Sequence, residues 1–356
     1  MNKAKKIRYF IFLRDVFILS VTAFGGPQAH LALLFDTMVN NRKYLTEKEL
    51  IELHALCQIL PGPTSTQTMT AIGFKIGGPN LAYLTLLVWM LPAVSIMIAA
   101  AIGIAALQEN NISIDFTKYI QPMAVGFVTY AAYNISVKVV HSRLAMGIMI
   151  IAAVVSYFVK NPFIFPVILL LSGATTALNY KTHPKETDKR ISIDWRNFIL
   201  WAAVLAFFAI LGGITRERLV LIFENFYRNG SLIFGGGQVL IPLLYTEFVE
   251  FKDYLTSEEF LSGFGIVQAL PGPVFSFSAY IGALAMREQG ILWEIAGGIV
   301  AAAGIFLPGT FMIFFVIRFW EKLKKYRVVK ASLEGINAAS SGLVIAAAFL
   351  LFQPIE

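Results

Sequence analysis

The chain of 356 residues is 57% hydrophobic and only 14% charged, with a mean hydropathy of +0.69 and a net charge of +7. That composition excludes an ordinary water-soluble globule and points to a bilayer. Its one cysteine, Cys57, excludes an intramolecular disulfide framework and a thiolate metal cluster, leaving packing as its role.

In chain order, a basic cluster (Lys3, Lys5, Lys6, Arg8) precedes an apolar segment that ends at Phe24-Gly25-Gly26-Pro27-Gln28, with His30 two residues on. A basic Arg42-Lys43 loop follows. Thr46 reads as an N-cap ahead of a solvated helix start at Glu47, Lys48 and Glu49. The next break is Cys57-Gln58-Ile59-Leu60-Pro61-Gly62-Pro63-Thr64-Ser65-Thr66-Gln67, and Lys75 lies beyond it. Uncharged runs at 80–107 and 119–137 reach or approach the ~20 residues that cross hydrocarbon. The stretch 144–180 is interrupted only by Lys160-Asn161-Pro162 and reads as a tight pair of spans. A second basic cluster (Lys181, Lys185, Lys189, Arg190, Arg196) leads into the run 197–215. Runs at 295–317 and 335–355 flank a third cluster (Arg318, Lys322, Lys324, Lys325, Arg327, Lys330). Backbone groups in lipid must bond internally, so the expected fold is an all-α polytopic membrane protein. The many spans after the first mark it as integral rather than a cleaved signal. Lysines and arginines confined to short loops report topology, not nucleic-acid binding, and place all three clusters and the N-terminus in the cytoplasm.

The chain contains a repeat. From Phe24 and Phe234 onward the segments ending at Pro63 and Pro273 align without a gap at a constant shift of 210, pairing Phe-Gly-Gly, Gln28 with Gln238, Tyr44-Leu45-Thr46 with Tyr254-Leu255-Thr256, Glu49 with Glu259, Gln58 with Gln268, and both Leu-Pro-Gly-Pro runs. Leu91-Pro92 then matches Leu307-Pro308 at a shift of 216. The expected organisation is an N-terminal repeat (1–140), a connector of three transmembrane helices with a basic cytoplasmic loop (141–216), and a C-terminal repeat (217–356). An odd insertion between halves with even numbers of crossings inverts the second copy. The opposite charge bias of equivalent loops, one lysine against two acids at 108–118 but basic at 318–330, agrees. Each half opens with two helix-break-helix elements, either kinked spans or re-entrant hairpins; the loop charges favour hairpins, giving seven full spans and four re-entrant elements.

Pro63 suits the first position of a helix and Gly62 a sharp turn before it, so a half-helix starts at the break. Its unpaired first-turn N–H groups and dipole attract anions, and Thr64, Ser65 and Thr66 add hydroxyls. Pro273, Ser276 and Ser278 repeat the arrangement, while Gly25, Gly26, Gln28 and Gly235, Gly236, Gln238 supply two further breaks. Together with Gln58, Gln268, Gly62 and Gly272, these residues are the expected lining of a midplane pocket for a small tetrahedral oxyanion. The competing reading is that the breaks are packing kinks and the hydroxyls interhelical hydrogen bonds. His30 and Glu247 are proton-coupling candidates, with packing and interfacial salt bridging as their alternatives. Lys75 and Arg287 are candidates for steering anions at a vestibule, or simply snorkel to the interface.

The motifs "FGGPQAH", "LPGPTSTQ" and "IGFKIGG", with "FGGGQVLIPLLYTEFV" and "QALPGPVFSFSAYIGA", resemble the chromate ion transporter family in its two-domain, long-chain form over nearly the full length. The resemblance implies export of chromate, with sulfate as a related anion, coupled to protons or the membrane potential. The matching positions are Gly25, Gly26, Pro27, His30, Pro61, Gly62, Pro63, Gly235, Gly236, Gly237, Glu247, Gln268, Pro271, Gly272 and Pro273. Tyr44, Tyr254 and Lys75 stand where the family often has tryptophan, tryptophan and arginine.

The resulting expectation is a secondary transporter in the cytoplasmic membrane, an antiporter if proton exchange rather than the potential drives it. Its partners are a small inorganic oxyanion, the lipid bilayer and a possible second copy of the chain, with no nucleic acid. Sulfate uptake and a channel-like anion pore are the alternatives. No cofactor or metal is expected, and a membrane-embedded enzyme is the remote alternative, since there is no His-Glu-x-x-His, cysteine pair or phosphate-binding Gly-Lys-Ser/Thr loop.

Overall fold

The computed structural model describes residues 3–24, 26–110, 120–159, 161, 164–178, 194–233, 239–319 and 327–352, and among these every regular element is helical. The first half comprises α1 (Lys3–Thr22), α2 (Gly26–Leu34, running on into a π-helical turn, Phe35–Asn41), α3 (Glu47–Ile59), α4 (Thr64–Gly77), α5 (Pro79–Glu109) and α6 (Ile120–Val139). Three helices follow: α7 (Arg143–Phe158), α8 (Ile164–Ala177) and α9 (Arg196–Thr215). The second half repeats the first pattern. It has α10 (Arg218–Leu232), α11 (Leu240–Tyr245, again extended by a π-helical turn, Thr246–Phe251), α12 (Ser257–Gln268), α13 (Phe277–Leu284, preceded by a 3₁₀ turn at Val274–Ser276), α14 (Ile291–Val316) and α15 (Arg327–Phe352).

Four of these, α5, α9, α14 and the Ala331–Phe352 part of α15, are long and apolar enough to cross a membrane; α7 and α8 are apolar but shorter. α9 makes the bilayer argument by itself. It carries no charge between Arg196 and its C-terminal end, yet Ile199, Phe207, Ile210 and Ile214 are largely exposed. Such a surface is disfavoured against water and suited to acyl chains. The chain is a multi-pass membrane protein.

The elements broken at Leu-Pro-Gly-Pro are hairpins. At 1.5 Å per residue the 13 residues of α3 and 14 of α4 each extend only ~20 Å, short of a ~30 Å hydrocarbon core. The Lys75 ammonium lies 2.6 Å from the Glu49 carboxylate, so α4 ends beside the start of α3. The same clamp recurs between Arg287 and Glu259 around α12 and α13. Both glutamates also close capping boxes, on Thr46 and Thr256, so one side chain caps the entering limb and holds the leaving one. The Phe-Gly-Gly elements fold back too: Arg42 and Tyr44 reach Asp15 of α1 at 2.7 and 2.8 Å, and Lys252 reaches Asn225 of α10 at 3.1 Å. Asp15 and Asn225, like Arg42 and Lys252, stand 210 positions apart.

The two α-hairpins open toward opposite ends of the molecule. Phe74 and Tyr83 pack on Phe314, Phe315 packs on Trp195 and Phe198, and Arg318 bonds Asp194. The mouth of the α3–α4 hairpin therefore shares one end with the start of α9 and the finish of α14. At the other end Arg218 bonds the Ala285 carbonyl and Glu288, joining the exit of α9 to the mouth of the α12–α13 hairpin. α5 and α14 cross antiparallel: Tyr83 meets Phe314, while fifteen residues on Ile98 fills the notch left by Gly298. The apolar core interleaves the halves. One cluster, around Phe12, Met38, Leu50 and Trp89, takes in Ile313 and Phe314; the other, around Phe226, Phe248 and Phe260, takes in Met97, Ala101 and Phe165.

Candidate functional site

The Pro-Gly-Pro corners meet inside the protein. Gly62 and Gly272 adopt φ of 117° and 103°, conformations in which any side chain is strained. Space is short as well, since a Cβ on Gly62 would lie 2.9 Å from Gln67 Nε2 and one on Gly272 3.1 Å from Ala93. Each corner glycine donates its N–H across the molecule: Gly62 to the Ile233 carbonyl at 2.7 Å, Gly272 to the Ala23 carbonyl at 2.9 Å. Ala23 and Ile233 each precede a Phe-Gly-Gly break and are themselves 210 positions apart, so the two bonds are reciprocal.

Between the corners lies a cavity of about 10 Å³ lined by His30, Pro63, Thr64, Ser65, Pro273, Val274 and Phe275. It has room for about one water molecule, and a tetrahedral oxyanion enters only if the corners part. Its walls differ. The first copy offers an imidazole and two hydroxyls, the second a valine and a phenylalanine at the aligned positions of Thr64 and Ser65. α4 begins at this cavity, and its first-turn N–H groups have no carbonyl a turn earlier to bond, which together with the dipole makes the polar wall electropositive. A larger recess, at Thr46, Glu47, Lys48, Ile51 and Glu52, is an open surface hollow at the mouth of the hairpin.

His30 is buried, with Nδ1 3.2 Å from Ser65 Oγ and Nε2 3.1 Å from the Ala23 carbonyl. Its ring stands edge-to-face on Trp89 of α5, centroids 5.5 Å apart, and Trp89 donates its indole N–H to Thr66 at 3.2 Å. Gln67 donates to the Pro61 carbonyl at 2.6 Å, bracing the corner from below.

The predicted residues thus divide. Pro63, Thr64, Ser65, Pro273 and His30 surround the cavity. Gly62 and Gly272 adjoin it but spend their amides on the cross-links, and Thr66 is committed to Trp89. Pro63 caps α4 instead of occupying its first turn, because its ψ of 94° is extended. Ser276 and Ser278 are fully buried off the cavity; Ser278 bonds the Phe275 carbonyl, and the Ser276 hydroxyl has no hydrogen-bond partner among the described residues. Gln58 lies on an exposed face of α3 against His54 at 3.2 Å, and Gln268 is half-buried at the end of α12, neither lining the cavity. Gly25, Gly235, Gly236 and Gln238 lie outside the described residues, and of Gln28 and Gly26 only the helical backbone is described. Glu247 is fully buried away from the cavity, its two oxygens held by Arg228 at 2.6 Å and Asn229 at 3.2 Å, with Lys252 at 3.8 Å. Lys75 and Arg287 sit at the hairpin mouths in their glutamate clamps.

Sequence reasoning missed Trp89 and the carbonyls of Ala23 and Ile233. A lone tryptophan in an apolar span reads as packing, and a backbone acceptor leaves no mark on side-chain chemistry. Only the position of Ala23 and Ile233, one residue before each Phe-Gly-Gly, carries a signal.

Compared with known proteins, residues 10–178 and 220–355 match the family described as Chromate transporter. A probable chromate transport protein of Synechococcus elongatus is 25% identical over 94% of this chain and 82% of its own. The chromate transport protein of Pseudomonas aeruginosa is 25% identical over 93% of this chain and 78% of its own. An uncharacterized transporter of Bacillus subtilis is 26% identical over 48% of this chain and 86% of its own. No solved structure matches.

Proposed function

The chain belongs to the chromate transporter family, and from that premise we propose that it is a secondary transporter exporting chromate, or a related tetrahedral oxyanion such as sulfate, across the cytoplasmic membrane. The observation that carries this reading is the meeting of the two Pro-Gly-Pro corners, cross-linked through Gly62 and Gly272, around one cavity that His30, Thr64 and Ser65 make polar. The two halves act as inverted repeats. The start of α4 and the 3₁₀ turn before α13 face each other across the cavity, their hairpins open to opposite sides, and the three basic clusters with the N-terminus are cytoplasmic. Rocking one half against the other breaks one reciprocal cross-link at a time and opens the cavity to alternate sides. The anion then meets the first-turn amides of α4 and the hydroxyls of Thr64 and Ser65.

A dianion leaving a negative-inside cell gains ~2.3 kcal/mol per charge per 100 mV, roughly 4–5 kcal/mol in all, so export runs on the potential alone whereas uptake needs coupling. The test is chromate counterflow in proteoliposomes. Saturable exchange competed by sulfate is expected, and non-saturating flux, the mark of a pore, overturns the carrier reading. Gly62→Leu should abolish flux without abolishing expression.

A further inference from the structure

The hydrogen bonds of His30 fix the direction of its own proton and of the Ser65 hydroxyl. Nε2 faces the Ala23 carbonyl, which accepts and cannot donate, so Nε2 carries the hydrogen. In the neutral ring Nδ1 is therefore an acceptor, and the Ser65 hydroxyl at 3.2 Å must donate to it. Ser65 then turns lone pairs, not its hydrogen, toward the cavity it lines, the wrong polarity for an oxyanion. A proton added at Nδ1 reverses this. The imidazolium donates from both nitrogens, Ser65 becomes the acceptor on that side, and its O–H is released to donate into the cavity.

We propose that His30 and Ser65 form a proton-switched oxyanion site, in which one anion and one proton bind together. The inference rests on the transport reading above and deepens it. The proton passes from hydronium in the water to Nδ1, one N–H bond forming as one O–H bond breaks, and release of the anion returns that proton to water and turns the Ser65 hydroxyl back to donate to Nδ1. Without an anion, an imidazolium in this buried place faces the positive end of α4 and is disfavoured; with one, each charge offsets the other. Proton and anion thus favour each other's binding reciprocally. Among the described residues none of the ring's hydrogen-bond, ring-stacking or cavity neighbours is a charged side chain. The ring meets the Ala23 carbonyl at the end of α1, Ser65 on α4, Trp89 on α5, and Pro273, Val274 and Phe275 across the cavity. Asp15, two turns away on α1, is held by Arg42, and the titratable His54 and Cys57 bond at Thr68, farther along α4. The switch is built into one copy only, because Leu240 stands at the aligned position of His30 and Phe275 at that of Ser65.

The experiment is calorimetric titration of the purified full-length protein with chromate, from pH 6 to pH 8, in buffers of differing ionisation enthalpy. Wild type, His30→Gln and Ser65→Ala are compared after a check that each is folded and monodisperse. Subtracting the His30→Gln proton count from that of wild type cancels chromate's own titration. The difference should approach one proton taken up per anion at pH 6 and fall toward zero at pH 8, where the anion binds more weakly to the neutral ring, with affinity rising by up to about tenfold per pH unit toward acid. Ser65→Ala should weaken binding at pH 6 and change it little at pH 8, where the wild-type hydroxyl is turned toward His30. Equal proton counts in wild type and His30→Gln at pH 6, or an equal loss in Ser65→Ala at both pH values, overturns the switch and leaves the transport reading standing. If folded wild type does not bind chromate, the transport reading itself fails. Should His30→Gln not purify folded, the pH dependence of the Ser65→Ala effect decides alone.

Discussion

At Gly62 and Gly272 two demands coincide, a positive φ and an amide free to cross to the other half, and only glycine meets the first without strain. A side chain at either position costs on the order of 1–3 kcal/mol in backbone strain and crowds Gln67 beside Gly62 or Ala93 beside Gly272. Gly272→Leu is therefore expected to lose transport to the same degree as Gly62→Leu, and loss in one but not the other would contradict the reciprocal role assigned to them. Thr66 offers a smaller, purely structural test. Thr66→Val keeps the shape but leaves the buried Trp89 indole N–H without its acceptor, about 1–3 kcal/mol of destabilisation visible as a lower melting temperature. Were the melting temperature unchanged, Trp89 would not be anchored through that hydroxyl. His30 reads ambiguously in the sequence, between relay and packing, because one histidine in an apolar context carries no record of its partners; its bonds to Ser65 and Ala23 resolve what it touches.

The α-hairpins are held by the same device twice, yet the two copies differ in strength. Lys75 and Glu49 are both more than a third exposed, so water screens their pair and its loss costs well under 1 kcal/mol. Glu259 is only 2% exposed, and removing Arg287 leaves its buried carboxylate with only the Thr256 amide as partner, at a cost on the order of 1–3 kcal/mol. Arg287→Met should accordingly lower the melting temperature clearly more than Lys75→Met, and the reverse order would refute the burial argument. The N-cap at Thr46 was legible in advance, since N-cap chemistry is local; that Glu49 closes a capping box on it, rather than merely facing solvent, was not. That Glu49 also reaches Lys75 was not legible, because the contact exists only once the chain turns at Gly62 and returns.

Across the whole molecule, the opposed hairpin mouths make a labelling prediction. In a Cys57→Ser background, Lys48→Cys should react with a membrane-impermeant thiol reagent only from the cytoplasm and Glu288→Cys only from outside; labelling of both from one side would remove the inverted arrangement. Energetics scale with the whole protein too. A dianion alone gains ~4–5 kcal/mol from a 100 mV potential, and one accompanied by the proton of His30 moves a single net charge and gains ~2.3. The charge carried per chromate, read from the reversal potential of proteoliposomes, is expected to be one if the switch operates during transport and two if the anion travels alone.

The sequence alone determined the membrane setting, the helical class, the duplication at a shift of 210 and the location of the breaks, because each follows from composition, from local propensity at glycine and proline, or from comparing the chain with itself. Tertiary structure alone decided three things: that the Leu-Pro-Gly-Pro elements are hairpins, that Gly62 and Gly272 bond across the halves, and that the cavity has one polar and one apolar wall. These depend on distances between residues scores of positions apart. Hydrophobic patterning specifies which faces are buried, but the direction in which a buried amide or imidazole points is set by whichever acceptor folding brings within 3 Å of it.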